Sequence, residues 1–145
     1  MIQFDSHDLK IFKNVLENQV IANEFVNNVD ESIFINKNSS KFAECIIPYI
    51  KQYRVAPTPR IILDKVQGNE ELHNSFKQLI FELNSIEPSP TEFKYDLDIL
   101  KKKYIKHEAK EFKNYLNDTN FDSNEWFEKT KKIASKIDKI ATPLR

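Results

Sequence analysis

Apolar residues recur at three- and four-residue steps along nearly the whole chain, which is the period of a helix with one buried face. Residues 6–17 place Leu9, Phe12 and Leu16 on one side, and residues 19–29 place Ile21, Phe25 and Val29 at four-residue steps. Residues 40–54 carry Phe42, Ile46, Tyr49, Ile50 and Tyr53 on one stripe, with Ser39 and Ser40 placed to cap the start. Pro48 falls inside this stripe, where a missing N–H predicts a kink. Pro57-Thr58-Pro59 breaks the pattern, and Thr58 followed by Pro59 is a helix-start signal for residues 59–66. Asn69 is the expected cap of a helix over 70–84, with Leu72, Phe76, Leu79 and Leu83 on its inner face. Ser32–Ile35 is the single candidate strand and is too short to stand alone.

After Pro88-Ser89-Pro90 the pattern lengthens. Residues 91–116, started by Thr91, carry two rotated stripes: Phe93, Leu97, Leu100 and Tyr104, then Ile105, Ala109, Phe112 and Leu116. Asn117-Asp118-Thr119-Asn120 reads as a polar turn, and Asp122 with Glu125 as a capping box. Residues 123–140 place Trp126, Thr130, Ile133, Ile137 and Ile140 at alternating steps of four and three, the spacing of a seam against another helix. The expected fold is all-α: a compact helical subdomain over 1–87, then an antiparallel two-helix hairpin over 91–140. The Trp126–Ile140 seam has two readings, packing within the hairpin or packing against a second copy of the chain. Two stripes on residues 91–116 exceed what one partner helix covers, which favours a further contact.

Composition narrows the chemistry. The single glycine, Gly68, cannot build a phosphate-cradling loop, so binding of a nucleoside triphosphate or dinucleotide by the usual loops is not expected. One cysteine, Cys45, excludes an internal disulfide and reads as a small buried hydrophobe. No apolar run reaches the length of a membrane span, and the first residues lack a basic-then-apolar leader pattern, so a cytoplasmic setting without membrane contact is expected. His7, His73 and His107 lack a second ligand at zinc spacing, and no serine sits in a nucleophile motif. No catalytic residue, metal site or cofactor is therefore assigned, and an independent enzyme is not expected.

Charge sharpens the division between the halves. The chain carries 22 basic and 22 acidic residues, but residues 1–90 hold 9 and 12 of them, and residues 91–145 hold 13 and 10. Lys outnumbers Arg 19 to 3, the bias of an AT-rich coding sequence, so lysine abundance alone says little. Placement says more. Lys102, Lys106, Lys110 and Lys113 share one helix face and could follow a phosphate backbone. The competing reading is a solvated face balanced by Asp98, Glu108 and Glu111.

A helical subdomain followed by a two-helix hairpin resembles the N-terminal domain of the DnaB-type replicative helicases, in particular divergent phage members. The pattern Ile-x-x-Tyr-x-x-x-Tyr-x-x-x-Pro-Thr is met by Ile46, Tyr49, Tyr53, Pro57 and Thr58, with Phe42, Ile50 and Leu63 around it. The Tyr95–Ala109 stretch with Leu100 and Tyr104, and the last helix up to Ile140, extend the likeness over residues 20–145. The resemblance implies a non-catalytic collar that assembles the helicase ring, docks primase or a loader, and stands close to DNA, in a host cytoplasm if the source is viral. It also implies that residues 141–145 begin a linker to an ATPase domain. A different reading of the same residues is a free-standing, loader-like DNA-binding accessory protein that uses the lysine face.

Overall fold

The computed structural model describes residues 4–116 and 123–141, and in the last helix the side chains of 127–136 and 138. Among these residues the chain is all-α, with no strand. The helices are α1 (Ser6–Glu17), α2 (Gln19–Asn28), α3 (Lys37–Tyr53), α4 (Pro59–Lys65), α5 (Glu70–Leu83), α6 (Phe93–Leu116) and α7 (Ser123–Ala141). Two 3₁₀ turns, Glu31–Ile33 and Pro90–Glu92, link α2 to α3 and α5 to α6.

Helix α1 is the centre of the packing, touching α2, α5 and α6. Its Phe12 stacks on Phe34 at 4.9 Å and meets Phe42 of α3 edge-on at 4.8 Å. Phe34 also faces Phe25 of α2 at 6.1 Å, and Phe42 faces Phe76 of α5 at 5.2 Å. Five phenylalanines thus run as one chain of ring contacts through four elements and a turn. Such pairs add about 0.5–1.5 kcal/mol each beyond the area they bury.

Short polar side chains set the helix ends. Asp5 accepts from the His7 amide at 2.8 Å, and Asn69 from the Leu72 amide at 3.1 Å. Asn18 closes α1 and opens α2, accepting from the Ile21 amide at 3.1 Å. Thr58 caps α4 as its position predicts, accepting from the Ile61 amide at 3.4 Å. The buried amide of Asn14 holds the connection before α6 from both sides: Nδ2 donates to the Ser89 carbonyl at 3.1 Å, and the Ser89 amide donates to Oδ1 at 2.8 Å.

Several local expectations differ from what the chain does. Helix α3 starts at Lys37, not after Ser40, because Asn36 caps it through the amides of Asn38 and Ser39. Ser39 is buried in its first turn instead, and Ser40 Oγ donates to the Glu31 carbonyl at 3.1 Å. The helix continues through Pro48, which sits on its exposed side, and ends at Arg54 in the left-handed region, φ 62°. Ser32–Ile35 holds a 3₁₀ turn that buries Ile33 and Phe34. Helix α6 grows directly out of the Pro90–Glu92 turn, so Thr91 is no cap. Tyr53 is exposed and Tyr49 half-buried, their rings 4.5 Å apart on the outside of α3. Cys45 is half-buried, and burial pushes its thiol above the ordinary value against the opposing charge of Lys65.

Candidate functional site

Helix α6 changes environment along its length. Phe93, Leu97, Leu100 and Tyr104 are buried in the same core as α1 and α3, as their stripe predicts. Beyond Tyr104 the helix runs on for twelve residues with none buried. The second stripe is therefore only partly covered: Ile105 and Phe112 are half-buried, Ala109 is exposed, and Leu116 is 43 % exposed.

Helix α7 lies against α6 and has no buried side chain among those described. Lys129 Nζ stands 4.3 Å from the Tyr115 ring centre, a cation–π contact near the outer end of α6. Lys136 faces the Tyr104 hydroxyl near its inner end. Burial pushes the Tyr104 phenol above its ordinary value, with Glu108 adding to the effect and Lys136 opposing it. Of the seam residues, Thr130 and Ile133 are half-buried; the side chains of Trp126, Ile137 and Ile140 lie outside the described residues, as do the 117–120 turn and the Asp122–Glu125 box. Phe127, which the seam spacing omits, is 53 % exposed, with Lys131 Nζ 4.7 Å from its ring centre. An exposed aromatic one position after the tryptophan of the seam was the available signal.

The four lysines fall together on α6. At 100° per residue Lys102, Lys106, Lys110 and Lys113 span about 80° of the helix and lie roughly opposite its buried stripe. All four are exposed. None is seen ion-paired to a carboxylate among the described residues, where pairs include His7–Asp96, Lys13–Glu17, Lys41–Glu44 and Lys103–Asp5. Of the balancing acids, Glu108 acts on Tyr104 and Asp98 on Lys101. Among the described residues the face is a run of cations without an acidic partner, with successive four-residue steps about 6 Å apart along the axis.

The candidate catalytic chemistry is sparse. Among the described residues no group of three or more His, Cys, Asp or Glu side chains could hold a metal ion. No described helix is long and apolar enough to cross a membrane. The residues of the Ile46–Thr58 pattern divide between two roles. Ile46, Ile50 and Pro57 are buried and Thr58 caps a helix, while Tyr49 and Tyr53 face outward. No family model, curated protein or solved structure matches the chain.

Proposed function

We propose that this chain is a non-catalytic assembly and docking domain, of the kind that forms the collar of a replicative DNA helicase and receives primase or a loader. The observation that supports it most is the α6–α7 pair, which leaves the core at Tyr104 with Ile105, Phe112, Leu116, Phe127 and Ile133 only partly covered. Two helices in mutual contact gain little from propensity alone and depend on packing of their apolar faces. Apolar side chains left partly exposed along one helix pair support a contact with another protein, and the seam over Trp126, Thr130, Ile133, Ile137 and Ile140 has the spacing for a second helix from another copy. On this reading the lysine-rich half faces the nucleic acid side of the assembly, and the more acidic residues 1–87 offer the surface for primase or loader.

Ile133→Asp and Ile137→Asp test the assembly. Each places a charge in the seam, where an unpaired buried charge costs several kcal/mol. Multi-angle light scattering is expected to show an oligomer for the native chain and a folded monomer for either variant. An unchanged mass with unchanged circular dichroism contradicts the reading.

A second reading rests on the lysine face: a DNA-binding accessory protein, loader-like in role. Replacing Lys102, Lys106 and Lys110 with Gln removes up to three phosphate contacts, which lowers the slope of log K against log salt by about 2–3 for duplex DNA. Fluorescence anisotropy at low salt reads both. A native chain that binds no DNA at low salt rules this reading out.

A further inference from the structure

The first turn of α1 meets the middle of α6 through ionisable groups, in contrast to the apolar packing that surrounds it. Asp5 caps α1 with Oδ1, and its Oδ2 accepts from Lys103 Nζ of α6 at 3.0 Å. His7 Nδ1 lies 3.1 Å from Oδ1 of Asp96, also on α6. Asp96 is 2 % exposed, and its Oδ2 has no hydrogen-bond partner. Asp8 is 3 % exposed. It faces Asp5 and His7 from its own helix, Lys103 from α6 and the Ser39 hydroxyl from α3. With Asp5, Ile35, Asn36, Leu100 and Lys103 it lines a cavity of about 330 Å³ where the three helices meet.

With all three carboxyls ionised and His7 neutral, the junction holds three negative charges against one positive charge. Two of the three carboxyls are buried, where unbalanced charge is poorly screened. Burial pushes the Asp8 carboxyl up to about 6; the nearby Ser39 hydroxyl works against this, the Asp5 charge adds to it, and Lys103 and His7 oppose it. One proton at Asp8 halves the surplus.

We propose that this junction is a proton-operated latch: proton uptake at buried Asp8 tightens the grip of α1 on the root of α6, and proton loss toward neutral pH loosens it. Its position gives it leverage. Leu100 and Tyr104 are the last buried apolar residues of α6, and the latch closes on the same two turns. The device concerns how α6 is anchored and holds whether the outer helices bind protein or DNA.

The test is thermal unfolding of the full chain between pH 4 and pH 7.5, native against Asp8→Asn, which mimics the protonated state. The variant is expected to melt about 5–10 °C above the native chain at pH 7.5, with the gap closing toward pH 4. Carboxyl ¹³C NMR of the native chain gives an independent readout, with an Asp8 midpoint near 6 expected. Protection of the Leu9–Val15 amides, corrected for intrinsic exchange, is expected to rise on acidification over the same range. Equal melting at pH 7.5, a gap that persists at pH 4, an Asp8 midpoint near 4, or protection that ignores pH overturns the latch. If Asp8→Asn does not fold, the NMR midpoint and the native amide protection decide alone.

Discussion

Residues 93–104 and 105–116 belong to one helix with the same apolar period, yet they stand in different surroundings. The first half closes on α1, and its Phe93, Leu97, Leu100 and Tyr104 are all buried. The second half has α7 for a neighbour and buries nothing completely. A stripe in sequence states that a face wants a partner; whether the chain itself supplies that partner depends on topology. Inside the core, α1 meets three other helices and buries Leu9, Ile11, Phe12 and Val15. Outside it, Leu116 and Phe127 keep much of their surface in water. Among the described residues, the half of α6 beyond Tyr104 is the part whose apolar positions stay at least partly exposed.

Truncation makes the contrast measurable. Phe12→Ala removes the ring shared by Phe34 and Phe42 and is expected to cost about 3–5 kcal/mol in urea unfolding, a large share of the stability of a domain this size. Phe127→Ala is expected to change stability by no more than about 1 kcal/mol. Comparable losses at the two positions break the distinction between the regions.

The latch predicts the next largest effect and sharpens the boundary between the two halves of α6. Asp8 has its folded pKa raised from 3.8 to about 6. Its stabilising contribution is therefore complete below about 3.8 and is lost as pH rises to about 6, a change of at most about 3 kcal/mol. Asp5 has the opposite sign. Burial acts to raise it, but the Lys103 hydrogen bond, the His7 and Asp8 amides and the Lys103 charge prevail and hold it below its ordinary value. Its contribution is present above 3.8 and disappears only in stronger acid, outside the range in which Asp8 acts.

Asn14→Ala is expected to cost about 2–3 kcal/mol, because both backbone groups of Ser89 lose their side-chain partner. Urea unfolding reads it, and a loss under about 0.5 kcal/mol shows that the connection before α6 is held by something else. The smallest effect belongs to the lysine face: the triple Gln variant removes no described ion pair, so its stability stays within about 0.5 kcal/mol of native while its response to salt and DNA changes.

Much of this fold is legible in the residue pattern because helices are local. The spacing of Leu9, Phe12 and Leu16, and the caps Thr58 and Asn69, place elements to within a residue or two. Errors arose where several local signals competed. Ser39-Ser40 and Asn36 are all capping residues, and the choice of Asn36 depends on Ser39 being buried against the start of α1, which is not a local property. Tyr53 continues a stripe but falls past the last helix that could cover it. The lysine face was legible from four-residue spacing alone. The ionisable junction was not: Asp5, His7 and Asp8 read as an ordinary helix start, and Asp96 and Lys103 join them only through the fold.

The central claim is that the outer helices bind a second copy of the chain, and solution mass tests it most directly. Light scattering over a concentration series is predicted to give a dimer or larger species that Ile133→Asp or Ile137→Asp reduces to a folded monomer. A strictly monomeric native chain at the highest concentration, or an oligomer indifferent to both substitutions, contradicts it.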